Sequence, residues 1–375
     1  MRRHAPKVRG TGSIVGLVIL FAAVAPPFAT AGTDTTGLWT VGRDGSTQRL
    51  AVPEGDNDFG FTGSWSRDGT RVAYTFGSKL VVQQTAGPLT RTTVASGADE
   101  PIWSPTVDRI AFVAGSELRT VSPNGSDIRT VAKARALDHI RWSPDGRKLL
   151  FVADSTVRCR LRGKSFSDST TAIFVVAGTG GTPKRLTSPS PCNPARDISD
   201  VSPEWLTRNT FTFVRNADNE TEDIPLGSRL YTGDIRSTKL RRLAIPTKPW
   251  NGLFADLSIS KGGKLIAILL EPFFIDRDEA VIGAEDLELW VVPADGAAPR
   301  RLKLRTEEGV DGEVSGPVFA PNGQIAVCED VGDSVMLINA ATGKRRKLAS
   351  FDSCVPYAWS PNGERLLVSV EELAR

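Results

Sequence analysis

Histidine is almost missing from this chain of 375 residues: there are two, His4 and His139. A metal centre built from several imidazoles is thereby excluded, because one ring cannot supply the ligand set. Cysteine is scarce as well. Cys159, Cys192, Cys328 and Cys354 are the four present, and no pair has the Cys-x-x-Cys spacing of a zinc ribbon or redox motif. No Gly-x-Ser-x-Gly occurs, so the nucleophile elbow of an α/β-hydrolase is absent. No Gly-rich loop opens a helix to cradle phosphates. Helical periodicity is not visible beyond the N-terminus, whereas glycine (35) and proline (24) are plentiful, which predicts an all-β chain rich in turns.

Nor is there an apolar run of the roughly 20 residues that span a bilayer. The nearest approach is Ile14 to Ala25, preceded by Arg2, Arg3, Lys7 and Arg9 and followed by Ala29-Thr30-Ala31. A basic segment, a short apolar run and a small-x-small site predict a cleaved signal peptide over 1–31, an uncleaved membrane anchor being the other reading. Removing 1–31 takes away those four cations and no carboxylate, which lowers the formal charge from +3 to −1. A nearly neutral mature chain has no electrostatic basis for nucleic acid, whose affinity rests on phosphate neutralisation. For an exported chain, an even number of cysteines predicts two disulfides, with metal ligation the weaker alternative; four cysteines allow three pairings.

What is there in quantity is a repeat. An apolar residue, Ser, a Pro/Asx/Gly turn and an aliphatic run recur at Trp65, Trp103, Trp142, Val201, Ile259, Phe319 and Trp359, at intervals of 38, 39, 59, 58, 60 and 40 residues. Trp142-Ser-Pro-Asp-Gly with Lys148-Leu-Leu-Phe-Val is a full copy; Val201-Ser-Pro and Ile259-Ser-Lys-Gly-Gly are degenerate. Pro and Asx preset a tight turn and Gly supplies its left-handed residue, so each copy reads as a β-hairpin. Unbroken apolar residues after the turn predict a strand buried on both faces. Each copy has a second half, such as Ala172-Ile-Phe-Val-Val, Gly-Thr-Gly-Gly and Lys184-Arg-Leu.

The chain begins with a second half (Gly37-Leu-Trp-Thr-Val) and ends with a first half from Trp359. Together Gly37–Ser64 and Trp359–Arg375 hold 45 residues, the size of one unit, and joining them closes a ring without open edges. The expected fold is an all-β propeller over 37–375, with seven four-stranded blades (six as the alternative) closed by pairing the N- and C-terminal half-blades. The repeated Trp-Ser-Pro-Asp-Gly followed by Arg/Lys-x-aliphatic resembles the WD40-like repeat of TolB-type proteins. That resemblance implies the same fold and leaves the activity open, because propellers host unrelated functions.

In such a blade the turn after the Trp-Ser motif lies on one face. Loops joining the second and third strands, and those between blades, lie on the other. The three long units place their additional residues, 155–170, 188–199, 216–227, 246–255, 271–285 and 305–313, on that second face, the pattern of a binding face; drift of surface loops is the alternative. Cysteine pairs 159–192 and 328–354 would pin loops there. Residues just before each motif, namely Asp99, Glu100, Asp138, His139, Asp197, Asp200, Asp256 and Glu313, are expected at the channel mouth, where they hold a cation or a basic peptide segment, or are simply solvated or paired with neighbouring Arg and Lys. On the insert face, Asp218, Glu222 and Asp223 form an acidic loop, and Trp250 with Phe254 forms an aromatic pair outside the repeat. The expected function is an exported, monomeric, non-catalytic module, periplasmic or extracellular. It has no cofactor or metal, contacts neither nucleic acid nor the membrane, and binds a protein or envelope glycan by its insert face. The alternative is a carbohydrate-active enzyme with a carboxylate pair at the channel mouth.

Overall fold

The computed structural model describes residues 35–51, 62–161, 163–190, 192, 197–219, 224–245, 251–276, 279–282, 287–304, 314–329, 334–351 and 353–372. The segment assigned to export therefore lies outside the described residues. These contain strands and no α-helix, and so no helix long and apolar enough to cross a membrane.

Seven antiparallel sheets form the blades of a propeller. Blade 1 runs outward through Gly63–Trp65, Arg71–Phe76, Lys79–Gln84 and Arg91–Ser96. Blade 2 comprises Asp99–Trp103, Ile110–Ala114, Glu117–Val121 and Arg129–Lys133; blade 3 comprises Asp138–Trp142, Lys148–Leu161, Lys164–Ala177 and Lys184–Arg185. Blade 4 is Asp197–Trp205, Thr210–Asn219, Ile224–Asp234 and Leu240–Leu243. Blade 5 is Asn251–Ile259, Leu265–Asp276, Glu288–Pro293 and Arg300–Leu302, with Glu279–Ile282 added to its second strand. Blade 6 is Val314–Phe319, Gln324–Glu329, Ser334–Asn339 and Arg345–Ser350. Blade 7 combines both chain ends: Ser353–Trp359 and Arg365–Glu372 are continued by Thr35–Gly42 and Thr47–Ala51. Eight register pairs, Thr35↔Glu372 through Gly42↔Arg365, make that closure. The seven innermost strands touch in sequence, and the last meets the first.

The repeat motif explains this geometry atom by atom. In the full copies the Ser hydroxyl donates to the Asx carboxylate or amide oxygen two residues on (Ser143 Oγ to Asp145, 2.6 Å; Ser360 Oγ to Asn362, 2.7 Å). It also accepts the N–H that starts the second strand (Lys148, 2.9 Å; Arg365, 2.9 Å). The Trp indole reaches sideways. Trp65 donates to the carbonyl of Ala358, Trp142 to that of Ile102 and Trp205 to that of Arg141, each joining a blade to the one before it at 3.0–3.1 Å. The last of these corrects the sequence alignment of blade 4. Trp205, which pairs with Phe211, occupies the motif position, and Val201-Ser-Pro lies upstream in a bulge of the same strand. Glycine is retained even in the degenerate blade 5 copy for a steric reason. At Gly263 (φ +70°) a Cβ would stand 1.7 Å from the Leu206 carbonyl oxygen of the neighbouring blade.

Apolar clusters fill the gaps between blades, and successive residues of one strand face opposite neighbours. Leu149 and Phe151 pack with Ala111, Val113 and Leu118 of blade 2, whereas Leu150 and Val152 pack with Trp205, Phe211 and Phe213 of blade 4. This two-sided burial is why the second strands read as continuous apolar runs.

Candidate functional site

The two ends of the propeller are built differently. The second-to-third-strand ladder of blade 1 has six residue pairs, Arg71↔Gln84 to Phe76↔Lys79. That of blade 3 has fourteen, Lys148↔Ala177 to Leu161↔Lys164. At about 3.4 Å per residue the difference projects the hairpin roughly 27 Å further. Blade 4 continues its ladder to Asn219↔Ile224, and blade 5 carries its second strand to Asp276, returned by Glu279–Ile282. The inserts expected as loops at 155–170, 216–227 and 271–285 are thus largely continued ladder, on three consecutive blades and at one end. Both disulfides have the expected pairing, Cys159–Cys192 and Cys328–Cys354. The first ties the blade 3 hairpin to the segment leading into blade 4. The second joins the second strand of blade 6 to the first strand of blade 7.

The channel mouth at this end is shaped by bulges in the innermost strands. Register shifts fall between Asp99 and Ile102, Asp138 and Arg141, and Val201 and Glu204. In each, one residue takes a positive φ: Glu100 +48°, His139 +49° and Ser202 +49°. A bulge re-aims the side chain that follows the break. Here it brings together Glu100, Asp138 and His139, whose ligand-type atoms all lie within 4.8 Å. Asp138 Oδ1 accepts the His139 N–H at 2.8 Å, and Glu100 Oε2 accepts the Ile140 N–H at 3.2 Å. His139 Nδ1 stands 2.8 Å from Asp138 Oδ2, close enough for an ion pair but without hydrogen-bond alignment.

Burial, reinforced by the Asp138 carboxylate, pushes Glu100 up to about 7. Burial also opposes the charge on Asp138, but its close contacts with the His139 ring and Glu100 outweigh that and hold it below the usual carboxylate range. Burial works against the His139 cation in turn, and the contact with Asp138 raises it nonetheless. Glu100 therefore holds the proton of the pair while Asp138 stays ionised, as neighbouring carboxyls avoid ionising together.

Arg141 donates to Glu204 and, at 2.9 Å, to the Ile140 carbonyl. Asp256 of blade 5 lies within electrostatic reach of His139 and Arg141; it keeps accessible surface while the surrounding protein raises its carboxyl by desolvation. Tyr357 of blade 7 feels Asp256 in turn and donates to Ser369 Oγ at 3.2 Å. Groups from blades 2, 3, 4, 5 and 7 thus share one electrostatic neighbourhood.

The remaining expected site residues are distributed as follows. Asp99 is exposed and accepts the Glu100 N–H at 2.8 Å. Asp200 does not line the mouth: it is fully buried and paired bidentately with Arg215 (2.6 and 2.9 Å), whose guanidinium lies over Phe213 and Tyr231. Asp218 sits in the blade 4 ladder, opposite Asp197 and Pro225. Phe254 is half-buried against the cluster of Val214, Leu230, Leu243 and Leu270, so it is core between blades 4 and 5. The side chain of Asp197, and Glu222, Asp223, Trp250 and Glu313 entirely, lie outside the described residues. Sequence reasoning did not single out Arg141, Glu204 or Tyr357. The first two stand immediately before the motif Trp of blades 3 and 4, at a position that Ser64 and Ser258 use to bond the next blade. A charged pair at equivalent positions of adjacent repeats was the available signal.

No family model matches the chain, and no curated protein matches it. Solved structures do. A protein described as TolB from Agrobacterium tumefaciens is 12% identical, with a TM-score of 0.50, over 91% of this chain and 100% of that one. Hydrazine synthase of Kuenenia stuttgartiensis is 14% identical, TM-score 0.53, over 84% and 96%. An acylaminoacyl peptidase of Pyrococcus horikoshii is 16% identical, TM-score 0.51, over 79% of this chain but 47% of the peptidase. At these identities the likeness is one of fold: a TolB-like β-propeller, an architecture that occurs both alone and within enzymes.

Proposed function

We propose that this chain is an exported binding module whose long-hairpin face recognises a partner in the cell envelope. The observation that carries the reading is the asymmetry of the propeller. Three neighbouring blades lengthen the same hairpin at the same end, beside the charged channel mouth, and a disulfide braces the longest. Ladders that run past the blade cost backbone ordering for little core burial, so lengthening them on one face favours recognition over folding. Two disulfides in one chain fit an oxidising compartment, and with the basic, apolar and small-residue segments of 1–31 they support export.

The carboxyl pair supports a second reading, an acid–base enzyme, because Glu100 is held protonated up to about 7 beside an ionised Asp138. One oxygen of each lies within 4.8 Å of the other, in close contact rather than set apart by the roughly 5–5.5 Å between the carboxyls of retaining glycosidases. Binding is the better-supported function.

The test is capture from native envelope by the mature chain, beside a variant in which 155–170, 216–227 and 271–285 are replaced by two-residue turns and Cys192 by Ser. A partner held by the wild type and lost by the variant, at unchanged melting of the body, supports recognition by this face. A partner held equally by both overturns it. Turnover of an envelope glycan that Glu100→Gln abolishes would replace it with the enzymatic reading.

A further inference from the structure

We infer that the outward face of the blade 3 hairpin docks an anionic polysaccharide; this rests on the reading of the long-hairpin end as the recognition face. Alternation along the ladder separates the hairpin's two faces. Ser155↔Thr170, Val157↔Asp168 and Cys159↔Phe166 share the face toward the body, where Ser155, Cys159 and Thr170 are buried. The other face carries Thr156↔Ser169, Arg158↔Ser167 and Arg160↔Ser165, all six exposed. These three rungs hold two guanidiniums and four hydroxyls; the nearest carboxylate on the same face, Asp154, lies at the root beside Arg135 at 3.7 Å.

Several cations elsewhere in the blades are committed to the fold. Arg109 pairs with Asp127, Arg215 with Asp200 and Arg345 with Glu329. Arg158 and Arg160 make no ion pair or hydrogen bond among the described residues. Placed two residues apart on one strand, they project in parallel about 7 Å from each other. Guanidinium forks match carboxylates bidentately, and the flanking serines match sugar hydroxyls.

The hairpin is also held in place before any ligand arrives. At its root Thr170 Oγ1 donates to the Ile198 carbonyl, Thr171 Oγ1 to that of Asp200 (3.2 Å) and Arg185 to Ser155 Oγ (2.7 Å). Near its tip the Cys159–Cys192 bond fastens it. Such preorganisation removes ordering costs on binding. A bilayer is the poorer occupant, because the one exposed aromatic near the tip, Phe166, is on the opposite face.

The experiment measures binding of the full mature chain to polygalacturonate, with neutral dextran and phosphatidylglycerol vesicles alongside. The expected result is polygalacturonate binding that weakens with salt and falls on the order of tenfold in Arg158→Gln/Arg160→Gln. It should be unchanged in Arg147→Gln/Arg208→Gln, which removes two exposed cations from the motif-turn face. Absence of polygalacturonate binding, equal losses in both variants, or binding of vesicles in its place would overturn the inference. Loss of envelope capture on hairpin trimming, without polygalacturonate binding, would overturn this inference alone and leave the recognition face standing.

Discussion

The two ends of the propeller teach different things. At the motif-turn end the seven blades share short turns, the indoles of Trp65, Trp142 and Trp205 bond a carbonyl of the blade before, and Gly146 and Gly263 stand where a side chain would strike the neighbouring blade. At the other end blades 1, 2, 6 and 7 stay short while blades 3, 4 and 5 run on. The first end keeps the repeat because each copy solves the same packing problem against its neighbour. The second departs from it where packing no longer dictates the sequence, and there the unpaired arginines and the channel carboxyls are found.

The largest effect expected from this division is at the motif end. Trp142→Ala removes a buried ring and its bond to Ile102, and should cost about 3–5 kcal/mol in denaturant unfolding. If trimming the blade 3 hairpin costs as much, the division fails. The disulfides sharpen it further. Their sequence separations, 33 for Cys159–Cys192 and 26 for Cys328–Cys354, are nearly equal, so loop closure alone would give both about 3–4 kcal/mol. Cys328→Ser/Cys354→Ser, which unlinks blades 6 and 7, should approach that loss. Cys159→Ser/Cys192→Ser should instead barely move global unfolding and speed proteolysis within 155–170. Equal losses of global stability would show the hairpin to be part of the cooperative body.

A smaller effect is expected at the channel mouth. Glu100 is neutral in the fold up to about 7 but ionises from about 4.5 once unfolded. Raising the pH through that window therefore lowers stability. His139, raised above 6.5 by Asp138, acts in the same direction; Asp138, held low, contributes stability that is lost only under acid. Arg141 and Asp256 face the same cluster and set its background charge. Melting temperature followed from pH 4.5 to 8 should decline in the wild type and flatten in Glu100→Gln. The smallest effect belongs to the surface pair of Arg71 and Asp108, 3.0 Å apart with the carboxylate 57% exposed, where Asp108→Asn should cost less than about 1 kcal/mol.

How far the sequence could be read follows the same division. The blade count was legible because Ser-Pro-Asx-Gly turns and the orphan half-units at the two termini leave one way to close the ring. The cysteine pairing was legible because both pairs join segments on one face. Blade 4 misled because Ser202-Pro203 mimics the motif four residues early, whereas the strand carries its motif Trp at 205; the bulge responsible depends on a positive φ at Ser202 that composition does not signal. In blade 4 Asp200 stands opposite Arg215 in the ladder and is buried against it, while the bulges in blades 2 and 3 turn Glu100 and His139 toward each other. Acidic residues before each motif were visible; which of them meet was decided by backbone geometry. The alternation of the blade 3 ladder became readable only once 155–170 proved to be strand rather than loop.

The most direct measurement is hydrogen exchange along the mature chain, with and without the partner recovered by envelope capture. The account predicts protection confined to the long-hairpin face, on 155–170, 210–234 and 265–293, with the motif turns at 66–69, 143–146 and 360–363 unchanged. Protection at those turns, with the hairpins exchanging as before, would contradict it.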